Sequence, residues 1–412
     1  MASETSPSGK RERDVRLDFF RGLTMFIIFV AHADVNPWNN WIPARFGFSS
    51  GTELFVFCSG FASAIAFGTV FVKRGFWLGA ARIMFRLWQV YWAQIGVVLV
   101  VIGVMFAGET LFPNRGLNTD PLPELLANPA TAIAGLLTLR WLPGYLDILP
   151  MYLVILALIP PMMALSRLHR LAPFAASLML YGLAWTTGLN LTGNPWTGYG
   201  WFFNPFAWQL IFFTGFGIAM GWLRPPPLGD RRWMVLSAAI VAVSVPLTFW
   251  GFHEIAPPLM DVYRAILTGE EKTNLHWLRY VHFLALAYLV VSLVDPHRAR
   301  LTRGAAMVVV KVGRQSLATF LVSLVAARTA SLAFHLLGDG FLVSLVINLA
   351  AIGLVIATAY VVGWFKSNPW LAPRVGAARA VQTVDEIATG DAKPMENAEN
   401  HVTKQLLLSA RT

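Results

Sequence analysis

Leu17-Asp-Phe-Phe-Arg-Gly-Leu-Thr-Met-Phe-Ile-Ile-Phe-Val-Ala-His-Ala-Asp-Val-Asn36 has the length and apolar character of a membrane span, yet it holds Arg21 and His32. Ionisable side chains are costly in hydrocarbon, so they turn inward to a partner or a wet cavity. Read as one helix, eleven steps of about 1.5 Å each set His32 about 16 Å beyond Arg21. The cation then lies near the start of the span. The imidazole lies halfway to two-thirds across a hydrocarbon core about 30 Å thick. That layout fits chemistry within the bilayer. The plainer reading is a buried histidine that satisfies one structural hydrogen bond.

Working outward, the same apolar character recurs along the chain. Of 412 residues, 56% are hydrophobic and 13% charged, against about 25% charged in soluble domains. Ten segments approach the spanning length of about 20 residues. They cover 17–36, 52–72, 85–107, 145–165, 171–189, 203–223, 233–252, 277–294, 307–336 and 341–365. The ninth reads as broken. Residues 129–139 are too short to span and suit a re-entrant or interfacial piece. The predicted fold class is all-α, a polytopic membrane protein of about ten helices.

Charge tests this map independently, because cytoplasmic loops are enriched in Lys and Arg. With the N-terminus inside, 24 of the 32 basic residues fall in inner loops and tails and six in outer loops. Arg21 and Arg328 lie within segments. The alternation holds through every loop, so both termini are predicted to be cytoplasmic. It also favours the first segment as a true helix over a signal peptide cleaved at Ala31-His32-Ala33. The net charge of +10 then needs no nucleic-acid partner. Cys58 is the single cysteine, which excludes an intramolecular disulfide framework and a Cys-rich metal site; no metal is expected.

Polar residues that interrupt the apolar pattern are the candidates for function. His32 could serve as general base or nucleophile, since imidazole titrates near neutral pH. Asp34 and Asn36 follow it, and Glu53 opens the second segment as a possible partner for the ring. Each has an ordinary alternative: water contact for Asp34, helix N-terminal charge for Glu53. Arg21 stands three residues after Asp18 and could pair with it or face a phosphate. Arg82 and Arg86 share a helix face at i,i+4, a spacing that suits phosphate contacts, although positive-inside bias also explains them. Asp147, Trp201, Asn204 and Gln209 gather at the predicted outer mouth. Trp38, Trp41, Trp196 and Trp201 there form an interfacial belt, a sugar-stacking platform, or both. No Gly-rich phosphate loop occurs, which argues against nucleotide hydrolysis.

Several strings taken together resemble the OpgC family, named for a protein that succinylates osmoregulated periplasmic glucans. They are Arg13-Asp-Val-Arg-Leu-Asp-Phe-Phe-Arg-Gly22, Glu53-Leu-Phe-Val-Phe-Cys-Ser-Gly-Phe61, Trp201-Phe-Phe-Asn-Pro-Phe-Ala-Trp-Gln-Leu210 and Gly313-Arg-Gln-Ser-Leu317. That family is similar to the wider acyltransferase-3 membrane superfamily, whose Arg, ten residues, then His is matched by Arg21 and His32. An Arg-rich approach to Tyr-Trp is matched by Arg82, Arg86, Tyr91 and Trp92, with Gln89-Val90 where the superfamily carries Pro. The resemblance covers 13–365, leaving 1–12 and 366–412 as flexible cytoplasmic ends.

The resemblance implies an inner-membrane O-acyltransferase. Its partners would be the lipid bilayer, acyl-CoA as co-substrate, with succinyl-CoA one candidate, and a periplasmic glucan or other envelope carbohydrate. His32 would act as base or acyl carrier, with Glu53 or Asp34 setting its tautomer. Arg21, Arg82 and Arg86 would hold the CoA phosphates. Asp147, Trp201, Asn204 and Gln209 would contact the acceptor. A succinyl group would call for a further cation, with Lys272, Arg279 and Arg328 as candidates. The alternative from a different class is a transporter or flippase, with His32, Glu53 and Asp147 on a proton or solute path. No inverted repeat or matching pair of broken helices marks the sequence as one.

Overall fold

A computed structural model describes residues 14–113, 117, 121–144, 146–266 and 272–371. The N-terminal arm 1–12 and the tail beyond 371 lie outside the described residues. Two units separate, Met1–Gly363 and Trp364–Thr412. Among the described residues of the second, the Trp364, Phe365 and Trp370 rings pack against one another edge-to-face or tilted.

Helices dominate, and the one β pairing among the described residues is the isolated bridge between Thr192 and Gly200. We label the main helices α1 (Val15–His32), α2 (Gly51–Arg74), α3 (Phe76–Leu111), α4 (Pro129–Leu137) and α5 (Ile148–Leu165). They continue as α6 (Ala172–Thr187), α7 (Pro205–Met220), α8 (Arg231–Thr248) and α9 (Trp277–Val294). The last three are α10 (Gly304–Arg314), α11 (Ser316–Leu337) and α12 (Phe341–Lys366).

Among the described residues, seven helices are long and apolar enough to cross a membrane: α2, α3, α5, α8, the helix that begins with α9, α11 and α12. The three other predicted spans also coincide with helices, and each misses that standard for a local reason. α1 carries Arg16, Asp18 and Arg21 within its 18 residues. α6 and α7 are 16 residues each. The predicted break in the ninth segment falls at Gln315, between α10 and α11. Residues 129–139 form the nine-residue α4, opened by the Asn128 side chain, which accepts from the Thr131 N–H.

Glycine sets the two closest crossings. A Cβ on Gly22 of α1 would lie 2.0 Å from the Val309 carbonyl oxygen, and one on Gly313 of α10 would lie 1.8 Å from that of Asp18. Likewise a Cβ on Gly60 of α2 would meet the Phe212 carbonyl at 2.0 Å, and one on Gly215 of α7 the Phe57 carbonyl at 2.4 Å. Inside lipid, where burying apolar surface gives helices little reason to associate, small residues allow this backbone-to-backbone packing.

α7 is the centre of the bundle. Trp208, Phe212, Phe213 and Phe216 are all buried on it, the mark of a helix that is apolar all round and enclosed by others. Around the outside, the apolar residues point away from protein: Trp77, Phe85, Trp88 and Trp92 on α3, and Leu342, Val346 and Leu349 on α12. Exposed apolar surface of this extent needs a lipid cover, so the chain is a membrane protein.

Candidate functional site

The end of α1 opens the site. The α1 helix stops at His32, and Asp34 follows in the connection. The Asp34 N–H donates to Ser331 Oγ on α11 at 2.8 Å. Its carboxylate lies 3.4 Å from Arg328 Nη1, also on α11. The other guanidinium nitrogen donates to the Gly144 carbonyl at 3.0 Å. Arg328 therefore joins the end of α1 to the segment that leads into α5. One turn on, Asn36 and Asn348 exchange amide hydrogen bonds at 2.8 and 3.0 Å, fixing the connection against α12.

His32 is half-exposed and faces a cavity of about 620 Å³. Its Nδ1 lies 2.7 Å from the Ile28 carbonyl. A carbonyl can only accept, so the neutral ring carries its proton on Nδ1 and offers Nε2 on the opposite edge as the basic nitrogen. A backbone group one turn below thus sets the tautomer, where a carboxylate was expected.

Glu53 has a different task. It is fully buried and does not line the cavity. Its Oε2 accepts from the Ser50 N–H at 2.7 Å and the Ser50 hydroxyl at 2.8 Å, and Ser50 in turn caps α2. Its Oε1 pairs with Arg279 of α9, the nearest nitrogen at 2.6 Å. Next to this pair, the Ser49 hydroxyl lies 2.8 Å from His282 Nδ1. A buried histidine thus braces the loop before α2.

The cavity wall comes from distant parts of the chain: His32, Arg45, Glu124, Asp147, Trp201 and Lys272 all line it. Asp147, which precedes the span of α5, is 7% exposed. Burial pushes its carboxyl up to about 6. Trp201 is wedged in place, its indole N–H donating to the Thr192 carbonyl at 3.0 Å. Glu124 accepts from the Trp141 indole at 2.7 Å. The Lys272 amine lies 5.7 and 5.6 Å from the Phe202 and Phe203 ring centres. The lining combines both signs of charge with aromatic faces.

Two residues expected at the acceptor site are structural in their contacts. Asn204 caps α7 by accepting from the Phe206 N–H, and its amide donates to Leu189 and Asn274. Gln209 exchanges hydrogen bonds with Ser177, tying α7 to α6. Neither lines the cavity. Arg45 and Glu124 do line it, and no local signal in the sequence marked them. Their place follows from how the long connections fold back. Among the three cations considered for an acidic acyl group, Lys272 reaches the cavity wall, while Arg279 holds Glu53 and Arg328 holds Asp34.

At the other end of α1, Arg21 donates to the Ser316 hydroxyl and Arg314 lies 3.4 Å from the Asp18 carboxylate. The Asp18 and Arg21 motif thus docks on the break between α10 and α11. Arg82 and Arg86 of α3 have separate neighbours: Arg82 sits 6.0 Å over the Phe67 ring and Arg86 donates to Gln89 at 3.2 Å.

A family model described as OpgC protein matches residues 13–367. No curated protein and no solved structure matches the chain.

Proposed function

The chain belongs to the OpgC family, and from that premise we propose that it is an O-acyltransferase of the bacterial inner membrane. It takes an acyl group from acyl-CoA at the cytoplasmic face. It delivers that group to a hydroxyl of a periplasmic glucan or another envelope carbohydrate. The observation that carries this reading is His32: its tautomer is set by Ile28, and it lines a cavity walled by aromatic, acidic and basic groups.

In the reaction, His32 Nε2 takes the proton of the acceptor hydroxyl as the oxygen attacks the thioester carbonyl. The C–S bond breaks, the CoA sulfur leaves as thiolate and the imidazolium returns the proton to it. Trp201 offers an aromatic wall and Asp147 a hydrogen-bonding group to a sugar ring. Lys272 is the cation best placed to meet the carboxylate of a succinyl group. Arg21, Arg82 and Arg86 lie toward the opposite face, where the basic loops of the charge map gather, and are proposed contacts for the CoA phosphates.

Mass spectrometry of envelope glucans tests the proposal in cells making the native protein, an equally abundant His32→Ala variant, or neither. An acyl mass increment present only with the native protein supports it and identifies the group. Absence of any increment with the native protein inserted would overturn the glucan assignment.

A further inference from the structure

The His32 cavity continues down α1. Ile27, Ile28 and Ala31 line it together with His32. It therefore reaches five residues, about 7.5 Å, back toward the start of that helix. At this depth α2 begins. A Cβ added to Gly51 would lie 3.0 Å from Ile27 Cγ2, and Gly51 and Thr52 form part of the cavity wall.

Thr52 is 7% exposed. Its backbone N–H donates to Ser50 Oγ at 3.3 Å. Its own hydroxyl makes no hydrogen bond to any described residue, yet it is not among the polar atoms sealed from solvent. The cavity is the open space that Thr52 borders. A hydroxyl left idle at a buried position costs stability, and valine has the same branched shape without that cost. The hydroxyl is thus a donor waiting for a partner that enters the cavity.

Position and charge select that partner. Thr52 sits in the first turn of a 24-residue helix, where the macrodipole favours negative charge. Glu53 on the same turn spends its charge on Arg279. A sugar hydroxyl brings no charge to this place, whereas the oxygen of a thioester carbonyl under attack does. The donor arrives from the cytoplasmic face, and Thr52 lies beside Ile27, on that side of His32. Glu124 and Trp201, in contrast, belong to connections that the charge map sets on the outer side.

We propose that the Thr52 hydroxyl donates a hydrogen bond to the thioester carbonyl oxygen and holds it as it becomes an oxyanion. This inference rests on the acyltransferase reading above and adds a catalytic residue to it. The acceptor oxygen adds to the carbonyl carbon, and its proton passes to His32 Nε2. The C=O π pair moves onto the oxygen held by Thr52. When that pair returns, the C–S bond breaks, and the sulfur leaves with the bonding pair and takes the proton from His32. Thr52 keeps its own proton throughout.

The test compares native protein, Thr52→Val and Thr52→Ser, each as the full chain in nanodiscs. Acetyl-CoA and succinyl-CoA are the donors and a glucan oligosaccharide is the acceptor. Thr52→Val lowers kcat about 10²-fold, the worth of one oxyanion-hole donor, with the acceptor KM unchanged. Its unfolding temperature does not fall, because no bond within the protein is lost. Thr52→Ser restores most of the rate. The second arm needs no acceptor: infrared difference spectra of the two donors, carrying ¹³C at the thioester carbonyl, bound to each protein. The carbonyl band moves to lower frequency on native protein and on Thr52→Ser, and stays at the free-donor position on Thr52→Val. A native kcat in Thr52→Val, a change confined to the acceptor KM, or the same band on native and Thr52→Val would overturn the role of Thr52 and leave the acyltransferase standing. A band shift that depends on the hydroxyl, with no acyl transfer by the native protein, would instead overturn the transferase reading and keep Thr52 as a donor contact.

Discussion

Replacing Glu53 with Ala separates a structural role from a catalytic one. Its carboxylate does two things at once: it completes the cap of α2 through Ser50, and it neutralises Arg279, which is 9% exposed. Loss of a cap costs about 1 kcal/mol. A buried guanidinium left without its partner costs about 3–5 kcal/mol. The single substitution is therefore expected to destabilise the protein by about 4–6 kcal/mol, a large share of the roughly 5–15 kcal/mol typical of folded proteins. The second variant, Glu53→Ala with Arg279→Met, removes the uncompensated charge and keeps only the cap defect. It should regain about 3 kcal/mol. Thermal unfolding of purified protein in detergent ranks native above the double variant and the double above the single. Acyl transfer should follow the same ranking at the assay temperature. If Glu53→Ala unfolds at the native temperature but has lost activity, the carboxylate acts in the reaction and the structural reasoning fails. A double variant no more stable than the single one would equally refute the charge argument.

His32→Ala should lower transfer by about 10²–10⁴-fold, the usual worth of general acid–base catalysis, with no change in unfolding temperature; a loss below threefold would remove His32 from the chemistry. Gly22→Ala and Gly313→Ala each place a methyl group inside a backbone contact and should each cost about 1–3 kcal/mol, read as a lowered unfolding temperature beside an unaffected Gly103→Ala, whose added Cβ meets nothing within 4 Å. Lys272→Met should reduce succinyl transfer at least tenfold more than acetyl transfer, measured with the two CoA thioesters in competition. Asp147 is raised by burial to about 6 in the folded protein against an ordinary 3.8, so its stabilising contribution is full below pH 3.8 and is lost as pH rises through 6. The stability of Asp147→Asn relative to native should therefore rise between pH 4 and 7, and a flat difference in unfolding temperature would count against the shift.

Much of the fold was legible because its signals are local. Each apolar run of spanning length became a helix, and the polar interruption Gly313-Arg-Gln-Ser316 became the break between α10 and α11. His32 was legible for the same reason, as a polar group where hydrocarbon was due. The side-chain partnerships were less so. Asp18 and Arg21 invite pairing at i,i+3, but Arg314 and Ser316 approach from nearly 300 residues away. Glu53 looked like a partner for imidazole because both stand at helix ends on one face; only packing against α9 brings Arg279 to it. Asn204 and Gln209 occupy a helix start that faces the bundle centre, where polar groups cap and tie helices. Arg45 and Glu124 reach the cavity through long connections, whose path carries no periodic signal.

The crossing of α1 with α10 also governs how the protein is made. Arg16 and Asp295 are 279 positions apart, and Arg21 and Ser316 are 295 apart. At about 5–20 residues per second, roughly 15–60 s pass between synthesis of the first charged helix and arrival of the strand of chain that completes it. During that wait the nascent α1 must remain in contact with the insertion machinery or at the water interface. Premature termination before residue 304 would leave its charges exposed to quality-control proteases. A ribosome stalled in the 295–303 connection would hold every helix but the last three and still lack the piece that locks the first.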